Sequence, residues 1–164
     1  MLDINFYRKF DDVLDDIKKG KIQTREDCGK ALKSIMSDHP VVYNIETTNR
    51  CNMRCKMCPR TTMMTRKIED IDRETFLNVV DQIQPHSKED WALWKTYCEK
   101  KYGISEDDVA SENHFFLYII SKVIQLHGYG DPLLDKHMGE YVRILHEKGF
   151  ESYFSCNPAN IDFE

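Results

Sequence analysis

Long apolar runs are missing from this chain of 164 residues, and their absence bears first on membranes. No stretch reaches the roughly 18 consecutive apolar residues that a membrane-spanning helix needs. The amino terminus, which begins Met1-Leu2-Asp3-Ile4, does not have the basic and apolar regions of a signal peptide. We therefore expect a cytoplasmic protein that makes no membrane contact.

An excess of positive charge is missing as well. Lysine and arginine together number 23 against 28 aspartate and glutamate, which gives a formal net charge of −5. This balance disfavours a large, non-specific nucleic-acid surface. Repeats and low-complexity tracts are also absent, and a chain of this length can bury a sizeable core. These features indicate an ordinary globular protein.

Cysteine is present in quantity, with six in the chain. Without an export signal, they predict metal ligands or free thiols rather than disulfides. Cys51, Cys55 and Cys58 fall within eight residues, so their thiolates can converge on one metal centre. Thiolates suit zinc, copper(I) and iron–sulfur clusters. On a four-iron cluster, three thiolates would leave one iron open for chemistry.

The spacing of apolar residues predicts alternating helices and strands. Helices are expected over 3–19, after an N-cap at Thr24, from an N-cap at Asp72 to about Gln84, over 87–103, over 111–121 and over 136–148; strands are expected over 41–48, 122–127 and 151–157. We interpret residues 1–39 as an N-terminal helical appendage and residues 40–164 as an α/β core. A helical insertion at about 86–121 would serve as a lid or a partner-contact element.

Strands that alternate with helices predict a parallel sheet with right-handed crossovers. On each predicted strand, one face is polar where a closed barrel is normally apolar. These polar positions are Asn44, Glu46, Thr48, Gln125, His127, Ser155 and Asn157, whereas Phe154 and Cys156 would face the helices. Since polar interiors are costly unless solvated or hydrogen-bonded, we infer a wet cavity that holds a ligand at the carboxyl ends of the strands.

The pattern Cys51-x-x-x-Cys55-x-x-Cys58 follows a strand that ends in Glu46-Thr47-Thr48-Asn49-Arg50, and it resembles the cluster loop of the radical S-adenosylmethionine superfamily. The segment Cys55-Lys56-Met57-Cys58-Pro59-Arg60 is most similar to members with an extra cluster-binding C-terminal domain, which often act on peptides. The resemblance implies that these cysteines hold a [4Fe–4S] cluster. S-adenosylmethionine would chelate the open iron and be cleaved reductively to a 5′-deoxyadenosyl radical. That radical would abstract hydrogen from a small-molecule or peptide substrate, with an electron donor such as flavodoxin or ferredoxin.

The segment Gly128-Tyr129-Gly130-Asp131-Pro132 resembles the glycine–glycine–glutamate–proline motif of the same superfamily. Glycines permit close backbone approach and positive φ. The resemblance implies that this backbone and the Asp131 carboxylate bind the methionyl ammonium group. It also implies that Ser155 and Asn157 contact the ribose or the methionine carboxylate. Met57 occupies a commonly aromatic position and would pack against adenine.

Two further residues have alternative interpretations. Glu46 could orient a substrate, or form an ion pair with Arg50, Arg54 or Arg60. His127 could donate a proton, or be a hydrogen-bonded core histidine.

Within the insertion, Trp91 and Trp94 could stack on a substrate or pack the insertion against the core.

A rival interpretation of the cysteines is a non-catalytic interaction module. In it, Cys51, Cys55 and Cys58 would form a closed zinc site with a histidine or another cysteine.

Length bears on the enzymatic interpretation, because the superfamily core has six strand–helix units. The resemblance covers about Val41 to Asn160 and three strands. We therefore expect the N-terminal half of a partial TIM-like barrel, truncated after its third strand and completed by a further segment or a partner chain.

Overall fold

The computed structural model of the protein describes residues 1–157, so the predicted end of the core, residues 158–164, lies outside the described residues. Its helices are α1 (Ile4–Lys18), α2 (Arg25–Ile35), α3 (Pro59–Thr62), α4 (Arg73–Gln82), α5 (Lys88–Tyr102) and α6 (Met138–Glu147). The strands are β1 (Val123–Gln125) and β2 (Glu151–Tyr153). A π-helix at Phe115–Ile120 precedes β1, and a 3₁₀ turn at Pro132–Leu134 lies between β1 and α6.

Three helices begin where the sequence predicts, because side chains there accept backbone hydrogen bonds. Thr24 Oγ1 accepts the N–H of Asp27 at 3.1 Å, and the same cap forms at the other two predicted starts, Asp72 and Ser87. These bonds satisfy donors that the first helical turn leaves unpaired. Gly103 ends α5 with φ of +68°, a conformation that glycine adopts without strain.

The predicted parallel pairing is present between β1 and β2, with Val123 opposite Glu151. The predicted first strand is an extended segment that forms only isolated bridges, one of them parallel to Gln125. In that bridge, the N–H of Ile45 donates to the carbonyl of Gln125 at 2.8 Å. The extended segment, β1 and β2 thus lie side by side in sequence order, and the partial barrel stays a prediction.

The chain divides into two compact units. Within the described residues, the sheet unit comprises Met1, residues 42–85 and residues 122–157. Helices α4 and α6 pack within it, where the rings of Phe76 and Tyr141 stack with centroids 4.0 Å apart. Ile124, Leu126 and Leu145 are fully buried. The cysteine loop and the glycine motif both belong to this unit.

The helical unit comprises residues 2–41 and 86–121. The segments predicted as an appendage and an insertion therefore pack as one body. Its core consists of Ile4, Trp94, Cys98, Ile104 and Tyr118. Trp94 Nε1 donates to the carbonyl of Leu117 at 2.7 Å. Trp94 therefore packs in the core of the helical unit itself, and packing of the insertion against the α/β core stays a prediction.

None of the helices within residues 1–157 is long and apolar enough to cross a membrane.

Candidate functional site

A cavity of about 330 Å³ lies in the sheet unit where the cysteine loop, the glycine motif and the segment after β2 meet. Its lining residues are Cys51, Met53, Cys55, Gly130, Asp131, Ser155, Cys156 and Asn157. Six of these eight are residues that the sequence predicts as cluster or cofactor ligands. The volume is in the range of small-molecule sites.

The cysteine loop carries accessible thiols on a short turn. The N–H of Cys58 donates to the carbonyl of Cys55 at 3.1 Å, and Pro59 starts α3 directly afterwards. Cys51 Sγ accepts the N–H of Met53 at 3.4 Å. Cys55 is exposed, and Cys51 and Cys58 are half-buried. The loop therefore offers soft donors that a metal or cluster could reach.

The three thiols do not form a ready-made site for a single ion. Cys58 is absent from the cavity lining that contains Cys51 and Cys55. Among residues 1–157, no three His, Cys, Asp or Glu side chains form a group that could hold one metal ion. The donor chemistry suits an iron–sulfur cluster or zinc, and cluster binding by these three cysteines stays a prediction.

The base of the cysteine loop is anchored by hydrogen bonds to residues 67–70. Buried Asn49 donates from Nδ2 to the carbonyl of Lys67 at 2.7 Å and accepts the N–H of Glu69 at 2.8 Å. Arg50 pairs with Asp70, with Nε and Oδ1 2.9 Å apart. These contacts fix where the loop leaves the sheet.

The glycines of the motif are needed because the loop lies against the extended segment before the cysteines. A Cβ added to Gly130 would lie 2.1 Å from the carbonyl oxygen of Thr48 and 2.7 Å from that of Arg50. A Cβ on Gly128 would lie 2.2 Å from Glu46 Oε2. Neither glycine has a positive φ, so the expected left-handed conformation is not found. These Cα positions approach the protein's own chain.

Asp131 is buried, and both of its carboxylate oxygens accept backbone hydrogen bonds. Oδ1 accepts the N–H of Leu133 and Oδ2 accepts the N–H of Asn157, each at 3.1 Å. Asn157 Nδ2 in turn donates to Asn52 Oδ1 at 3.5 Å. Asp131 therefore ties the glycine motif to the segment after β2, and that segment reaches the cysteine loop.

Glu46 holds the glycine motif from the other side. Its Oε2 accepts the N–H of Tyr129 at 2.8 Å, and its Oε1 lies 2.7 Å from a terminal nitrogen of Arg66. The Arg66 guanidinium also lies 5.3 Å from the centroid of the Tyr129 ring. Glu46 therefore forms the expected ion pair, but with Arg66, which lies in the segment after α3. The predicted partners Arg50, Arg54 and Arg60 are wrong.

His127 is held by hydrogen bonds at the end of the strand. Its Nδ1 accepts the N–H of Ser155 at 3.2 Å, and its ring meets that of Tyr153 edge-on with centroids 5.9 Å apart. Burial lowers the pKa of His127, so the neutral imidazole predominates at pH 7. These contacts favour the hydrogen-bonded alternative over the proton donor.

Two residues lie elsewhere than the sequence suggests. Met57 is 93% exposed and does not line this cavity, whereas Met53 does. Cys156 also lines it, although strand alternation predicted that Cys156 faces the helices. β2 ends at Tyr153, so strict alternation does not extend to Cys156. The only feature of the sequence that could have indicated a place for Cys156 in this cavity was its position between Ser155 and Asn157.

Comparisons of the chain with protein families, with curated proteins and with solved structures find no match.

Proposed function

We propose that this chain carries the cluster-binding part of a radical S-adenosylmethionine enzyme. The observation that carries the proposal is the shared cavity. It gathers two of the three motif cysteines, the second glycine of the motif, Asp131, Ser155 and Asn157, although more than 100 residues separate the first of these from the last. That gathering supports a common ligand at the carboxyl end of the parallel strands.

In the proposed enzyme, Cys51, Cys55 and Cys58 would hold a [4Fe–4S] cluster. When bound, the cluster would supply the electron that cleaves S-adenosylmethionine reductively. Gly130, Ser155 and Asn157 would bind the cofactor at the cavity wall.

Glu46 and Asp131 act in this proposal as positioning residues rather than as catalytic ones. Glu46 holds the Tyr129 N–H, and Asp131 holds the N–H groups of Leu133 and Asn157. The glycine motif and the segment after β2 are thereby fixed on two sides of the cavity. Preorganised walls of this kind orient a ligand without further ordering on binding.

The remaining features of the proposal follow the resemblance. The substrate is a small molecule or a peptide, and the electron donor is a flavodoxin- or ferredoxin-like protein. The setting is the cytoplasm, where thiols remain reduced. A partner chain or a further segment would complete the barrel.

The test is anaerobic reconstitution of the full chain with iron and sulfide. We expect a brown, oxygen-sensitive protein with about four irons per chain, as the proposed cluster requires, and 5′-deoxyadenosine after dithionite and S-adenosylmethionine are added. Cys55→Ser should abolish iron retention. Cys28→Ser is the control, because Cys28 belongs to the helical unit and should retain the cluster. Colourless protein, or a loaded cluster that yields no 5′-deoxyadenosine, would contradict the enzymatic proposal.

The rival zinc module makes a different prediction for Cys156. This residue lines the same cavity as Cys51 and Cys55, although within residues 1–157 these side chains are not grouped closely enough to hold one metal ion without rearrangement. A zinc site that includes Cys156 would yield one zinc per chain and would lose it in Cys156→Ser. In the proposed enzyme, Cys156→Ser retains iron, because the loop supplies the three cluster ligands.

A further inference from the structure

A second cavity, of about 500 Å³, adjoins the cysteine loop in the sheet unit and is lined by three arginines. Arg54, Arg60 and Arg66 contribute to its wall together with Cys51, Asn52 and Thr61. Cys51 lines the first cavity as well, so the two cavities share this residue. Among the described lining residues there is no carboxylate.

The arginines are only partly neutralised by the protein. Arg66 is paired with Glu46. Arg60 donates from Nε to the carbonyl of Asn49 at 2.8 Å, which uses one of its five N–H groups. Arg54 is exposed and makes no hydrogen bond or ion pair with any described residue. Within residues 1–157, the guanidinium groups of Arg54 and Arg60 therefore line the cavity without a carboxylate partner.

Guanidinium groups stay protonated at every physiological pH, so their mutual repulsion cannot be relieved by losing a proton. They bind carboxylate and phosphate groups through two parallel hydrogen bonds. A cavity of this volume matches the size of small-molecule sites. We propose that this cavity binds the carboxylate or phosphate group of a small anionic ligand, beside Cys51. The site requires neither a cluster nor S-adenosylmethionine, so it goes beyond the proposed function and does not depend on it.

The first test is calorimetric titration of the full, metal-free chain at low salt, in separate experiments with pyrophosphate and with citrate. We expect saturable binding of at least one probe. Pyrophosphate alone would identify a phosphate site, and citrate alone a carboxylate site. Arg54→Ala should weaken binding at least tenfold, and Arg54→Lys should weaken it less, since the charge remains while the paired hydrogen bonds are lost.

The control is Arg143→Ala, which removes an exposed arginine of α6 outside this cavity and should leave the affinity unchanged. The charge change is the same in both alanine variants, so the comparison separates the local site from net charge. The absence of binding by either probe at millimolar concentration would overturn the proposal. Equal affinity in Arg54→Ala and the unmodified chain would overturn it too.

A second readout places the ligand. Because Cys51 lines the cavity, a bound anion should slow alkylation of Cys51 by iodoacetamide, measured peptide by peptide with mass spectrometry. Cys28 belongs to the helical unit and should react at an unchanged rate. Binding that leaves Cys51 unprotected would locate the anion elsewhere and refute the assignment.

Discussion

Gly130 illustrates how single residues fix the candidate site. The backbone of the glycine motif lies directly on the segment before the cysteines, where the N–H of Asp131 donates to the carbonyl of Arg50 at 2.7 Å. A side chain at Gly130 would have to displace backbone carbonyls rather than a flexible side chain. Interiors are packed too densely to absorb such a shift without loss of stability.

We expect Gly130→Ala to lower the free energy of unfolding by about 2–3 kcal/mol, the upper part of the range for overpacking. Gly139→Ala is the matched control, because a Cβ added to Gly139 in α6 would meet no atom within 4 Å apart from its own chain neighbours and the backbone of its helix. Alanine there should stabilise the helix by up to about 1 kcal/mol. Urea denaturation followed by circular dichroism measures both changes. Equal stability of the two variants would contradict the packing argument.

Asp135 is a residue whose charge is poorly accommodated. Its side chain is buried, and within residues 1–157 neither Oδ2 nor the buried Thr47 Oγ1 has a partner at hydrogen-bond geometry, although the neighbouring Thr47 hydroxyl slightly offsets the effect of burial on the Asp135 pKa. Oδ1 accepts the N–H of His137 at 2.9 Å. Burial, followed by the negative charge of Asp70, raises the pKa of Asp135. The ionised form is therefore less stable in the folded protein than in the unfolded chain.

Asp135→Asn should raise the free energy of unfolding at pH 7 by about 1 kcal/mol, since an uncharged amide replaces a buried, incompletely paired carboxylate. The advantage should disappear toward acid pH. Because the pKa of Asp135 is higher in the folded protein than in the unfolded chain, Asp135 destabilises the fold only when it is ionised. Its contribution to the free energy of unfolding is therefore most favourable below the unfolded pKa and falls as the pH rises through the folded pKa. Thermal unfolding of both proteins from pH 4 to pH 8 measures the difference, and a difference that does not vary with pH would refute this explanation.

At the scale of elements, α1 and α5 form the helical unit by burying one face of each. Ile4 of α1 is 1% exposed and packs in the cluster that contains Trp94 and Cys98. Burial raises the pKa of Cys98 to about 11, so this thiol stays protonated at neutral pH. Cys98 is therefore a core residue of the helical unit and a poor metal ligand.

Ile4→Ala should destabilise the helical unit by about 3 kcal/mol, because truncation leaves a cavity against Trp94. The control is Ile17→Ala in the same helix, where the side chain is 40% exposed and the loss should stay below about 1 kcal/mol. Both tryptophans, Trp91 and Trp94, lie in this unit, so their fluorescence during urea unfolding reports on it. Similar midpoints for the two variants would show that Ile4 is not a core position.

At the scale of the whole molecule, the chain crosses between its two units more than once. The helical unit takes its residues from both sides of the segment that carries the cysteines. Both cavities lie in the sheet unit, and the arginine-lined one occurs in a chain whose formal net charge is −5. Net charge therefore describes the average surface and does not predict a local anion site.

The sequence by itself determined the local features of this protein. Helix starts at Thr24, Asp72 and Ser87 depend on a side chain and an N–H three residues further on, so the pattern of a few residues suffices. The same holds for the end of α5 at Gly103 and for the spacing of the three thiols in the cysteine loop.

Only the tertiary structure decided which distant residues meet. The pairing of Glu46 with Arg66, the capture of the Asn157 N–H by Asp131, and the presence of Cys156 beside Cys51 join segments 20 to 105 residues apart. No periodicity records such contacts, because they depend on how loops pack after the helices and strands have formed. The arginine-lined cavity has the same origin, since Arg54, Arg60 and Arg66 are unremarkable until the loop folds.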